Sequence, residues 1–161
     1  MDSKKVNESV KLFHDFCKNE QKACDIDPAL SYMNYMIDRM EMNSEQVIYL
    51  CFLYGMTYQL PTAYAIWSEF PDLELVNEER LTKWFIDNKY KLPFQQDKIK
   101  SRKDMVKTML SYQEIVNGSQ KRYFDTLLSS DNPQENFDKM WSPLKSIYGF
   151  SRFNIISCYM F

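Results

Sequence analysis

The fold turns on one stretch, Asn43-Ser44-Glu45-Gln46-Val47-Ile48-Tyr49-Leu50-Cys51-Phe52-Leu53-Tyr54-Gly55-Met56-Thr57. Asn43 and Gln46 have the spacing of a capping box. In that motif the first side chain takes the backbone N–H three residues on, and the second reaches back to the cap's own N–H. Beyond the cap, Val47, Ile48, Leu50, Cys51, Phe52, Leu53, Tyr54 and Met56 leave the helix no polar side. A helix apolar nearly all round has no face to give to water, so it is expected at the centre of the core with other helices packed around it.

The flanking segments read as those helices. On the N-terminal side Asp27 caps a helix with Pro28 in its first turn, where a missing N–H costs nothing. Leu30, Met33, Ile37 and Met40 recur along it at helical spacing. Residues 5–22 form a further amphipathic helix, with Val6, Val10, Phe13 and Cys17 on one face. On the C-terminal side Pro61 opens a short helix carrying Tyr64, Trp67 and Phe70, and Pro71 stops it. Asn77 caps a helix with Leu81, Trp84 and Phe85, and Pro93 marks an irregular stretch. Ser101 caps a helix with Met105, Met109, Leu110 and Tyr112 that ends at Gly118. Ser119 starts another, with Tyr123, Phe124, Leu127 and Leu128. Asn132, Pro133 and Glu135 cap the next, which carries Phe137, Met140, Trp141, Leu144 and Ile147 until Gly149 stops it. The expectation is an all-α protein of about eight or nine short helices. Residues 1–24 would be an N-terminal amphipathic helix, and residues 25–161 a helical domain.

Composition agrees. The 161 residues are 45% hydrophobic and 16% aromatic, enough for one domain with a real core. Only three glycines occur, too few for a protein built on tight hairpins. The four cysteines (Cys17, Cys24, Cys51 and Cys158) form no CxxC pair and have one histidine, His14, for company, so neither a zinc site nor any other cofactor is expected. They read as reduced thiols. No signal-peptide pattern and no membrane-length apolar run is present, so the expected location is the cytoplasm, that of the host cell if the chain is phage-encoded.

Charge is unevenly placed. Lys89, Lys91, Lys98, Lys100, Arg102, Lys103 and Lys107 face only Asp97 and Asp104 within residues 89–107, a local +5 in a chain of net −2. With Tyr90 and Phe94 beside it, this segment can follow a phosphate backbone and stack on a base, or it can be a solvated loop and helix face. A second concentration is the corner from Tyr54 to Thr62, where Tyr54, Thr57, Tyr58 and Thr62 crowd a helix junction. The N–H groups from Thr62 onward open a helix N-terminus, a natural place for an anion, and the same residues equally suit a packed interhelical corner. Asp38 and Arg39 close an otherwise apolar helix shortly before Glu45. A buried arginine there would need a carboxylate or phosphate, whereas an exposed ion pair would need neither. Arg152 follows the Gly149 stop in an apolar setting. No Ser–His–Asp order, nucleotide-binding glycine loop or metal-ligand cluster is present, so the familiar enzyme classes lack support.

Several of these pieces occur together in one family. Asp27-Pro28-Ala29, Asp38-Arg39-Met40, Asn43-Ser44-Glu45-Gln46, the run Leu53 to Ala63, and Glu69-Phe70-Pro71-Asp72 resemble the amino acid:DNA transferases of tailed bacteriophages. Gln134-Glu135-Asn136-Phe137-Asp138 with Trp141 resembles the family's mid-region, and Gly149-Phe150-Ser151-Arg152-Phe153 its short G-F-x-R-F/Y element. The likeness runs from Asp27 to Phe161. Ser151 stands where a second glycine is frequent. The family's members continue into a second helical half, so residues 25–161 are expected to be incomplete at the C-terminus, as a truncated or split form or with a protein partner supplying the rest.

The resemblance implies a role in thymine hypermodification. Pyrophosphorylated 5-hydroxymethyluracil in double-stranded phage DNA would lose its pyrophosphate, and a free amino acid or other amine would take its place. Such an enzyme must bind the leaving group, reach the base and take a proton from the amine. Arg39 and Arg152 are the candidates for the phosphates, and Tyr54, Thr57, Tyr58 and Thr62 for the pocket. Asp38 or Glu45 would accept the proton. Lys89, Lys91, Lys98, Lys100, Arg102, Lys103 and Lys107 would hold the DNA. The competing expectation is a helical interaction module without catalysis, docking a partner through the apolar strip Phe153, Ile155, Ile156, Tyr159 and Phe161.

Overall fold

Residues 28–88, 90–93 and 102–150 are described by the computed structural model of the chain. They form seven α-helices and one 3-10 turn: α1 (Pro28–Arg39), α2 (Ser44–Thr57), α3 (Leu60–Glu69), the turn Leu73–Leu75, α4 (Glu78–Asn88), α5 (Arg102–Val116), α6 (Gln120–Leu127) and α7 (Pro133–Leu144). No strand occurs among them, so the all-α expectation holds. The 3-10 turn has no counterpart in the pattern of the sequence. The expected helix at 5–22 and the apolar strip after Phe150 lie outside the described residues. The chain divides into two compact units, Met1–Glu41 and Met42–Phe161. The division falls just after α1, where Glu41 takes a positive φ of 49°.

In the first unit α1 buries Met33 and exposes Tyr32 and Tyr35. In the second unit α2 is the hub. Every residue from Tyr49 to Thr57 is buried, as an all-apolar helix requires. The capping box forms: Gln46 N–H donates to Asn43 Oδ1 at 3.1 Å, and Asn43 N–H donates to Gln46 Oε1 at 3.1 Å. Helix α2 packs on α3 and α6, α4 packs on α5, and α6 on α7. Phe52 of α2 stacks on Tyr112 of α5 at 3.8 Å between ring centres, nearly parallel. Helix α4 faces the core through Leu81 and Phe85, one turn apart, while Ile86 points outward. Gln113 of α5 ties the 3-10 turn down by donating to the carbonyls of Leu73 at 2.9 Å and Val76 at 3.1 Å.

The helix ends follow local chemistry. Asn77 accepts from Arg80 N–H at 2.9 Å, Ser119 from Arg122 N–H at 3.1 Å, and Asn132 from Gln134 N–H at 3.0 Å. Glu135 takes no part in the Asn132 cap and accepts instead from the Ser130 hydroxyl at 2.7 Å. Helix α5 ends on Asn117 and Gly118, with φ of 42° and 111°. One end differs from expectation. Helix α7 stops at Leu144, not at Gly149. The helix runs through Pro143, and beyond Leu144 the chain tightens into i→i+3 bonds, Ser146 to Pro143 and Ile147 to Leu144. Ile147 stays buried, but from a turn.

Candidate functional site

The corner between α2 and α3 is built mostly by its own backbone. Tyr58 closes α2 in the left-handed region, with φ of 51°, and its N–H returns to the Tyr54 carbonyl at 2.7 Å. Thr57 is fully buried. Its hydroxyl sits 2.9 Å from the Leu53 carbonyl and accepts the Gln59 N–H at 3.3 Å. The hydroxyl is thus a bracket that turns the chain. Tyr54 is buried with its ring 6.2 Å from that of Tyr58. Of the four corner residues singled out from sequence, Tyr58 alone is half-open to solvent.

Thr62 links this corner to the basic segment. It is fully buried in the first turn of α3, and its hydroxyl donates to the carbonyl of Pro93. Pro93 ends the short turn after α4, itself closed by the Lys91 N–H on the Asn88 carbonyl at 3.0 Å. The turn carries Lys91, exposed, and Tyr90, which is 89% exposed. The corner and the start of the +5 segment are therefore one place in the fold. This pairing of residues 31 positions apart had no local signal.

The other candidates lie on other elements. Asp38 and Arg39 belong to the first unit; Arg39 is exposed and Asp38 lies on the same last turn of α1. Of the two alternatives for Arg39, the exposed one holds. Arg39 lies in solvent with its guanidinium 5.8 Å from the Tyr35 ring centre, an i,i+4 contact along α1. Lys107 is exposed, with its ammonium 5.2 Å from the Tyr148 ring. Arg102 and Lys103 open α5. Lys89, Lys98, Lys100 and Arg152, and the strip Phe153 to Phe161, lie outside the described residues.

Glu45 has a different task from the one its position suggested. Its carboxylate accepts the Gln120 N–H at 2.8 Å, the Lys121 N–H at 3.0 Å and the Ser119 hydroxyl. The two N–H groups are orphan donors at the start of α6, so Glu45 supplies the negative charge that a helix N-terminus attracts. The Gln120 side chain is buried beside it and holds the Tyr112 hydroxyl at 2.7 Å. The cleft at this point, about 360 Å³, is also lined by Asp72 and Glu74. Three carboxylates disfavour a pyrophosphate there. With its oxygens committed to α6, Glu45 is a poor choice for proton acceptor. Nothing near Glu45 in the sequence signals this clamp, because its partners lie some 75 positions away.

Elsewhere in the second unit, Tyr148 is fixed on α5. Its hydroxyl donates to Asp104 Oδ1 at 2.8 Å, its N–H to Ser111 Oγ at 3.0 Å, and its carbonyl accepts from the Thr108 hydroxyl at 2.8 Å. The hydrogen bond to Asp104 and the carboxylate's charge push the Tyr148 hydroxyl above the ordinary tyrosine range. One of the two acidic residues of the basic segment is thus engaged with Tyr148. Among the described residues no group of three or more His, Cys, Asp or Glu side chains comes together to hold a metal ion. No helix there is long and apolar enough to cross a membrane. No protein-family model, curated protein or solved structure matches the chain.

Proposed function

We propose that the chain transfers an amino acid or another amine onto pyrophosphorylated 5-hydroxymethyluracil in DNA. Two things support it. The first is the ordered resemblance from Asp27 to Phe161. The second, which carries the reading at the level of structure, is the Thr62–Pro93 hydrogen bond, because it joins the Tyr54–Thr62 corner to the turn bearing Tyr90 and Lys91. A base-modifying enzyme needs a cationic track for phosphates beside the place where the base is met.

In the proposed reaction the bond between the exocyclic methylene carbon and the pyrophosphate oxygen breaks, and its electron pair leaves with pyrophosphate. The amine nitrogen then bonds to that carbon and gives up a proton. Of the two carboxylates considered, Glu45 is set aside as proton acceptor, since its oxygens already hold α6. Within the second unit Tyr58 would line the base pocket. Thr57 and Thr62 would keep the corner in shape rather than touch substrate, because both hydroxyls bond to backbone.

The test is fluorescence anisotropy on duplexes carrying either thymine or pyrophosphorylated hydroxymethyluracil, across a salt series. Tighter binding to the modified duplex is expected. Joint replacement of Lys98, Lys100, Arg102 and Lys103 by Gln should lower the log–log salt slope by roughly 3 to 4, about 0.9 for each phosphate left without its cation. A folded protein that binds neither duplex would overturn the proposal.

A further inference from the structure

We infer that the second unit holds a binding site for a small molecule with a flat aromatic body and an ammonium head. The site is the cavity between α2, α5, α6 and α7. It is partly open to solvent and offers about 340 Å³. Folded interiors are close-packed, and voids much larger than a water molecule are few. An engineered apolar cavity of about 150 Å³ in another protein stays dry and takes benzene. Roughly twice that volume leaves room for two fused rings.

The walls set the class of ligand. Val47 and Ile48 of α2, Leu128 just after α6, and Met140 and Leu144 of α7 make an aliphatic surround. Within it, Phe52 stacks with Tyr112, at 3.8 Å and 8°, and with Phe150, at 5.3 Å and 20°. The three stacked rings, with Phe124, give the cavity an aromatic share of its lining, which suits a flat ring better than a branched chain. The Tyr112 hydroxyl is held by Gln120 at 2.7 Å, so the tyrosine offers its ring.

The charge sets the head group. Asp125 is the one charged residue among the described residues that line the cavity. It pairs with Lys121 one turn earlier in α6, and both side chains are largely exposed. Exposed pairs of this kind are weak, so a ligand ammonium can replace Lys121 at little cost. A carboxylate or phosphate head would meet the Asp125 carboxylate, and no cation is among the described lining residues. The order of affinity is cation-headed, then neutral, then anionic. This site rests on the cavity alone and stands whether or not the chain modifies DNA.

Three probes share one ring system and differ in charge: tryptamine, indole and indole-3-acetate. Each is titrated into the full chain by calorimetry. In parallel, labelling of Cys51, which lines the cavity, by an apolar maleimide is followed by peptide mass mapping. Indole and tryptamine should bind and slow Cys51 labelling. Tryptamine should bind about threefold more tightly than indole, the size expected of an exposed ion pair, and indole-3-acetate least. Asp125→Asn, at an exposed position, should erase the tryptamine preference and leave indole unchanged. Absence of binding by all three would overturn the site. So would binding that leaves Cys51 labelling unchanged, or a charge preference that survives Asp125→Asn.

Discussion

Tyr49 shows how much a single residue can hold. Its side chain is fully buried in α2, and its hydroxyl meets no hydrogen-bond partner among the described residues. A buried hydroxyl left unpaired costs about 1–3 kcal/mol. Tyr49→Phe keeps the ring and removes the orphan, so urea unfolding at pH 7 should show a gain of about 1 kcal/mol. Burial, with the Asp72 carboxylate adding to it, pushes the Tyr49 hydroxyl well above its ordinary value. The unfolded chain therefore loses this proton first as pH rises. Stability is fully present below about pH 10 and falls above it, as the unfolded state ionises and the folded state resists. Tyr49→Phe should flatten that alkaline loss in a pH series of unfolding curves. An unchanged slope would assign the loss to Tyr123 and Tyr148, which are raised in the same direction. Glu45 offers a second test at this scale. Glu45→Ala takes the carboxylate acceptor away from the donors at the start of α6 and should cost about 1–2 kcal/mol by the same measurement.

At the scale of the element, helix starts were legible and helix ends less so. Asn43, Asn77, Ser119 and Asn132 each take an N–H within three residues, so the whole device lies in a short window of sequence. The end of α7 was not legible, because the apolar pattern runs on to Ile147 while the helical bonding gives way to i→i+3 bonds after Leu144. The end of α5 rests on backbone shape. A Cβ on Gly118 would meet nothing within 4 Å, yet φ of 111° strains any side-chain-bearing residue. Gly118→Ala should therefore destabilise by about 1 kcal/mol or more, with no steric clash to blame. Thermal unfolding beside an Asn117→Gly control would check it, since glycine at the left-handed Asn117 is expected to be nearly neutral.

For the whole molecule, the contrast between Phe52 and Ile86 separates sequence from structure. Both are large apolar residues on helices. Phe52 is 1% exposed in a three-ring stack, while Ile86 is 56% exposed on α4. Phe52→Ala should cost about 3–5 kcal/mol in chemical unfolding, and Ile86→Ala should stay within about 0.5 kcal/mol. The helical class, the buried α2 and most of the caps were legible in the amino-acid order, because helical periodicity and capping are contacts between near neighbours. Which polar groups are open to ligands was decided only by tertiary structure. Glu45 was taken by α6, Thr62 by Pro93, and Asp104 by Tyr148, each through a partner 31 to 75 positions away. Pairings at that separation depend on how helices pack, and no local pattern encodes them.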